Sequence, residues 1–203
     1  QTMSAKRHDT CAVIICRMNN DAVMKSLHGT LRGHGNYVRI HGNKGVMENC
    51  RHGDKSRLRI WREPWEKDED ELVETVYKPE FPTYHNQAAK TGHGGGDFFT
   101  SYHFAQAIRT EIQPYLDVYR GIDMSIVGIL AWRSALDDSA PIEVPDFRDE
   151  LVRKQYENDT WSPDPMSKGN SQPPCSILGD IEPSVAAKDL AKKVWAKQGY
   201  FGE

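Results

Sequence analysis

An α+β fold, an open and mainly antiparallel mixed sheet with helices packed on one face, is what this sequence predicts. Three observations carry that expectation. Residues 12 to 77 fall into short β-rich runs joined by tight turns. From Phe98 onward apolar residues recur at helical spacing. Nowhere does a G-x-G-x-x-G turn follow a strand, so the hairpin-linked strands do not read as a βαβ series.

The strands come first. Ala12 to Met18 is an apolar, β-branched run, Asn19-Asn20-Asp21 is a turn cluster, and Ala22 to His28 is the return strand. In that return strand Met24, Ser26 and His28 share one face, and Val23, Lys25 and Leu27 the other. Tyr37 to His41 alternates clearly. The turn Gly42-Asn43-Lys44-Gly45 joins it to a partner running from Gly45 to Asn49. Leu58 to Trp61 and Leu72 to Tyr77 are two further strands, and the acidic run Glu66 to Glu71 between them reads as a solvated loop.

The helices follow. Phe104, Ile108 and Ile112 recur every four residues and predict a core-facing stripe on a helix from Phe98 to Ile112. Asp117 is a favourable N-cap for a second helix, with Val118, Ile122, Ile126, Ile129 and Leu130 on its buried side. That helix should stop near Asp137 to Pro141. Ile142-Glu143-Val144 reads as a short strand halted by Pro145. Asp146 is the expected cap of a third helix through Tyr156, with Phe147, Leu151 and Val152 inward. Trp161 to Pro174 is punctuated by prolines and glycine and reads as a connector. A last helix should run from Ser184 to about Gln198, with Val185, Leu190, Val194 and Trp195 as apolar contacts.

With 203 residues the chain fits one domain of ordinary size plus an appendage. A net charge of −3 and a pI of about 6.3 argue against a nucleic-acid binder. No run of apolar residues is long enough to span a membrane as a helix, and a soluble protein is expected, with its compartment left open. The start, Gln1 to Arg7, lacks the apolar core of a signal peptide, and Met3 could serve as an initiator. Cys11, Cys16, Cys50 and Cys175 form no C-x-x-C pair, so they read as free thiols. The histidines at 28, 34, 41 and 52 have no metal-ligand spacing, and no metal site is expected.

One loop stands out as a candidate site. Gly92-His93-Gly94-Gly95-Gly96-Asp97 puts an imidazole inside a glycine run just ahead of a helix. Glycine lets the backbone take positive φ and pass close to a ligand. The imidazole donates, accepts or titrates near neutral pH. The helix start turns free N–H groups outward. Alternatively the run is a plain glycine linker with a solvated histidine. Asp97 suits either a hydroxyl of a ligand or the helix cap. Tyr84 and His85, and Lys90, precede the loop; Tyr102 and His103 follow on the helix. Trp61 and Trp65 are either packing residues or platforms for a sugar ring.

Three stretches carry a family resemblance: Ile40-His-Gly-Asn-Lys-Gly-Val46, Gly92-His-Gly-Gly-Gly-Asp-Phe98, and Leu116 to Asp123 with Pro141-Ile-Glu-Val-Pro-Asp-Phe147. Over residues 9 to 156 they resemble the C-terminal domain of the glucose–fructose oxidoreductase / inositol dehydrogenase / MocA superfamily. The nearest branch is that of the NAD-dependent glycosidases of α-N-acetylgalactosaminidase type. Residues 157–203 form a connector and helical tail outside the resemblance.

The resemblance implies a substrate-binding and oligomerisation domain of an NAD- or NADP-dependent protein acting on a sugar or cyclitol. A glycosidase of this branch works by transient oxidation, which permits elimination of the leaving group. It implies an N-terminal Rossmann domain that holds the cofactor and has no counterpart here, so no cofactor is expected on this chain alone. The chain, which starts abruptly at a strand, then reads as cut from a longer protein. It also implies a homo-oligomer formed through the sheet face, and no nucleic-acid or membrane partner. His93 becomes the catalytic candidate, and Gly94, Gly95, Gly96, Asp97, Tyr84 and His85 the substrate-binding candidates. The other expectation is a non-catalytic carbohydrate-binding or protein-interaction module.

Overall fold

The structure, a computed structural model, describes residues 9, 11–29, 36–50, 53–54, 56–164, 166–167, 169, 171–179 and 181–199. Met3, the start of the chain, His34 and His52 lie outside the described residues. Two compact units are distinguished, one of residues 35–114 and the other gathering the chain on either side of it.

In the unit of residues 35–114, four strands form one antiparallel sheet in the order β3-β4-β5-β6: Arg39–His41, Gly45–Asn49, Leu58–Arg62 and Glu74–Tyr77. The predicted tight turn joins β3 to β4, with the Gly42 N–H donating to the Gly45 carbonyl at 2.9 Å. Gly45 is needed there: its φ is +154° and a Cβ would collide with the Trp61 carbonyl oxygen on β5. Register pairs Arg39 with Glu48, and Glu48 with Arg59. Glu48 accepts from the Tyr37 hydroxyl at 2.6 Å, from Arg39 Nε, and from Arg59 Nη1 at 3.1 Å. Arg59 Nη2 reaches on to Glu74 at 2.7 Å. The other face of the same sheet carries Val38, Ile40, Met47, Ile60 and Tyr77, none of them buried. The acidic run is solvent-exposed for most of its length, but its ends are tied down. Lys44 pairs with Glu66 and Arg62 with Glu71, each at 2.9 Å.

Three short helical pieces complete this unit and pack on one another: α1 (His85–Ala88), a 3-10 turn (His93–Gly95) and α2 (Gly96–Thr110). The stripe expected to face a core on α2 does not. Phe104, Ile108 and Ile112 are 67, 64 and 69% exposed. Periodicity places Phe104 and Ile108 on one side of the helix, which ends at Thr110 short of Ile112, and no layer of the described structure covers that side.

The second unit holds the hairpin β1 (Cys11–Arg17) and β2 (Val23–Gly29), a separate antiparallel sheet whose register pairs Val13 with Leu27. Among the described residues the open sheet therefore comes as two sheets, and every strand pairing is antiparallel. Helix α3 (Val118–Leu136) starts where expected: the Asp117 carboxylate accepts from the Arg120 N–H at 2.8 Å. Leu130 is buried, while Val118 is exposed.

Ile142 to Val144 form no strand. Pro141 and Pro145 bracket the segment and remove ladder donors. The third helix also starts later than expected. Asp146 closes a turn on the Arg148 N–H, and Asp149 caps α4 (Glu150–Gln155) by accepting from the Leu151 N–H. Phe147 and Val152 are half-buried, but Leu151 is exposed, contrary to the apolar pattern. Helix α5 (Val185–Lys197) falls where it was expected, with Ser184 as its N-cap, but its Val185 and Leu190 are exposed.

Among the described residues the buried apolar side chains are Ala88, Leu130, Cys175 and Ala191. Buried Ser176 donates to Asp9 at 2.9 Å, tying the segment ahead of β1 to the turn that precedes α5. The described cysteines are free thiols. No helix among the described residues is long and apolar enough to cross a membrane.

Candidate functional site

The glycine-histidine loop is built by a run of left-handed backbone. His93, Gly94 and Gly95 have φ of +52°, +65° and +101°. Two of these positions suit glycine, and the histidine tolerates the left-handed region as few larger residues do. Gly95 is also sterically pinned, because a Cβ there would lie 2.7 Å from Phe81 Cε2 and 3.0 Å from Ala88 Cβ. The reversal brings His93 back over the first turn of α2. There Nδ1 of His93 lies 2.8 Å from Oδ1 of Asp97.

That pair defines the site's chemistry. A carboxylate on Nδ1 holds a proton on that nitrogen and leaves Nε2 with its lone pair, a hydrogen-bond acceptor and proton acceptor. Nε2 has no partner among the described residues, and the His93 side chain is 87% exposed. Asp97 therefore orients the imidazole and does not cap α2, which has no side-chain cap. In the first turn its negative charge is favourable beside the N-terminal end of the helix dipole.

Tyr84 is a second left-handed residue, with φ of +56°, at the start of α1. It joins an aromatic cluster that the sequence pattern did not assemble. Its ring centroid lies 4.9 Å from Tyr102 and 5.8 Å from Phe98, and Phe99 packs 4.5 Å from Phe81. The Tyr102 hydroxyl donates to that of Tyr84 at 3.4 Å, and this neighbour pushes the Tyr84 phenol above its ordinary range. A phenol hydroxyl can both donate and accept a hydrogen bond. The signal for the cluster was the four-residue spacing of Phe98 with Tyr102 and of Phe99 with His103 on one helix. Phe81 had no such signal.

Of the predicted site residues, His93 and Asp97 are joined directly, and Gly94 to Gly96 form the backbone beneath them. Tyr84 is tied to α2 by its rings. His85 is exposed on α1 and makes no side-chain hydrogen bond to the loop. Trp65 is 72% exposed, and Trp61 is half-buried beside Lys44 and Arg62, in a shallow depression of about 290 Å³. Among the described residues no three His, Cys, Asp or Glu side chains converge as metal ligands.

Comparison with known families decides the relationship. Residues 3–153 match the family model described as glycosyl hydrolase 109, C-terminal domain. The chain belongs to this family. Two glycosyl hydrolase 109 family proteins are similar to it. One, from Stenotrophomonas maltophilia (strain K279a), is 29% identical over 112 residues, covering 54% of this chain and 24% of the relative. The other, from Saccharopolyspora erythraea, is 39% identical over 56 residues, covering 28% of this chain and 12% of the relative. The chain thus spans a quarter or less of the curated relatives it matches. No solved structure matches it. The glycosyl hydrolase 109 C-terminal domain is the NAD-dependent glycosidase type that the loop and its flanking stretches resemble.

Proposed function

We propose that this chain is the sugar-facing domain of a nicotinamide-dependent glycosidase, with His93 as its proton-handling group. The His93–Asp97 pair in a glycine loop carries the reading. An exposed imidazole with Nδ1 held by a carboxylate presents Nε2 to a sugar hydroxyl, to accept its hydrogen bond or its proton. Gly94, Gly95 and Gly96 keep side chains out of the approach, so a ring can sit close to the backbone. The phenol hydroxyls of Tyr84 and Tyr102, which donate and accept, are suited to hydroxyl recognition. His85 lies one residue on and can contribute a further polar contact.

The described residues do not fit NAD or NADP. Every strand pairing is antiparallel, and no strand, glycine-rich turn, helix and parallel strand follow one another. The reading therefore assigns the cofactor to a Rossmann domain elsewhere in a longer protein, which the short coverage of the relatives supports. The apolar sheet face of Val38, Ile40, Met47 and Tyr77 is assigned to contact with a second copy.

Substitution in the complete protein tests the site. His93→Ala is expected to lower turnover by about 10²-fold or more with little change in melting temperature. Asp97→Asn should lower turnover less than His93→Ala does, since the amide holds the ring in place with a weaker hydrogen bond. Full turnover in His93→Ala, with a large fall in melting temperature, would make the loop structural.

A further inference from the structure

Outside the loop, one further depression is framed by an aromatic ring and polar side chains. It has a volume of about 350 Å³ and is lined by Arg133, Asn158, Asp159, Thr160, Trp161 and Ser171. Most of its wall lies beyond residue 153, where the family match ends.

The walls are fixed in place. Arg133 projects from α3 and donates through Nη2 to Asp159 Oδ1 at 2.7 Å. The same Asp159 oxygen accepts from the Trp161 N–H at 3.1 Å, which sets the turn that presents the indole. The guanidinium carbon of Arg133 stands 5.3 Å from the centroid of the Trp161 ring. Gln172 clamps the two sides together: its Nε2 donates to the Thr160 carbonyl at 2.7 Å, and its Oε1 accepts from the Ser162 N–H at 3.1 Å. So held, Trp161 still keeps 50% of its surface open to solvent.

Charge decides the class of ligand. Arg133 is neutralised by Asp159, so the depression has no surplus cation to hold a phosphate or sulfate. Its hydrogen-bonding capacity is not used up. Asp159 Oδ2 and the side chains of Asn158, Thr160 and Ser171 have no hydrogen-bond partner among the described residues, and Arg133 Nε is buried without an acceptor. An apolar ring face beside donors and acceptors of no net charge matches a pyranose, which has an apolar face and a rim of hydroxyls.

We infer that the depression between Arg133, Asp159 and Trp161 is a binding site for a neutral pyranose sugar, with Trp161 as its stacking platform. Arg133 supports that ring from α3, and the Asp159 carboxylate accepts from sugar hydroxyls. None of these residues belongs to the glycine-histidine loop, so the two sites fail or stand separately.

Titration of the purified chain with galactose, glucose and N-acetylgalactosamine, followed by indole fluorescence and saturation-transfer NMR, tests this. We expect saturable binding of at least one sugar with a Kd of about 1–10 mM. Saturation should be strongest on ring C–H protons. Trp161→Ala should weaken the indole-reported binding about tenfold, and Trp161→Phe should retain most of the affinity. The wild-type NMR experiment decides even if Trp161→Ala fails to fold. Absence of saturation transfer to all three sugars would overturn the assignment. So would an affinity and a saturation-transfer pattern left unchanged by Trp161→Ala in a folded protein, or a preference for inorganic phosphate or sulfate over every sugar.

Discussion

Neighbouring glycines in the His93 loop should respond unequally to the same methyl group. Gly94 and Gly95 both have positive φ, at +65° and +101°. At Gly94 nothing lies within 4 Å of where a Cβ would stand, so Gly94→Ala meets only the left-handed backbone cost, about 1 kcal/mol. At Gly95 the backbone is further from the region an alanine accepts. The added carbon would also meet Phe81 at 2.7 Å and Ala88 at 3.0 Å. Overpacking of that kind costs about 1–3 kcal/mol, so Gly95→Ala should lose about 2–4 kcal/mol in all. In a chain of this size each kcal/mol moves the melting temperature by about 2–4 °C. Thermal unfolding followed by near-ultraviolet circular dichroism would report both variants, because Phe81 and its neighbours give the signal. Equal melting temperatures for the two variants, or a neutral Gly95→Ala, would refute the packing of the loop against α1 and Phe81.

Two further outcomes follow from other parts of the structure. Hydrogen bonds from Tyr37, then Arg39, hold the Glu48 carboxyl down at about 2, against an ordinary 4.5. Stability from this group is present above pH 4.5 and lost as pH falls toward 2, so acid unfolding of wild type should be steeper in that window than that of Glu48→Gln. Leu130 is 7% exposed, and Leu130→Ala should cost about 2–4 kcal/mol in urea unfolding; a loss below about 1 kcal/mol would show that α3 is not anchored there.

Local chemistry was legible where one residue decides it. Asp117 caps its helix as read, because a short polar side chain ahead of an apolar repeat has few other uses. The Gly42–Gly45 turn was legible for the same reason. Asp146 misled because Asp149, three residues later, offers the same cap, and only the path of the chain between two prolines chooses between them. The exposed stripe of Phe104, Ile108 and Ile112 shows a different limit. Spacing tells which side of a helix is apolar and says nothing of what covers it. Within the site, the glycine run announced a loop, and the four-residue separation of His93 and Asp97 allowed their pairing. The Phe81 and Tyr84 contacts depend on a chain reversal that no local pattern encodes.

The row of charges across the four-stranded sheet acts as a ruler for strand alignment. A slip of one residue in one strand would mix the apolar and the charged faces, so side-chain pattern alone would resist it. A slip of two residues preserves which side chains face which way, so hydrophobicity cannot detect it. The charges can. Moved by two so that Trp61 faces Glu48, the carboxylate that now accepts from Tyr37, Arg39 and Arg59 would lose one of its cationic partners, whereas the opposite slip would bring Arg57 into that place. Glu48 thereby tells against one of the two neighbouring alignments that greasy side chains leave degenerate, and it does so beside the turn whose glycine sits against the Trp61 carbonyl of β5.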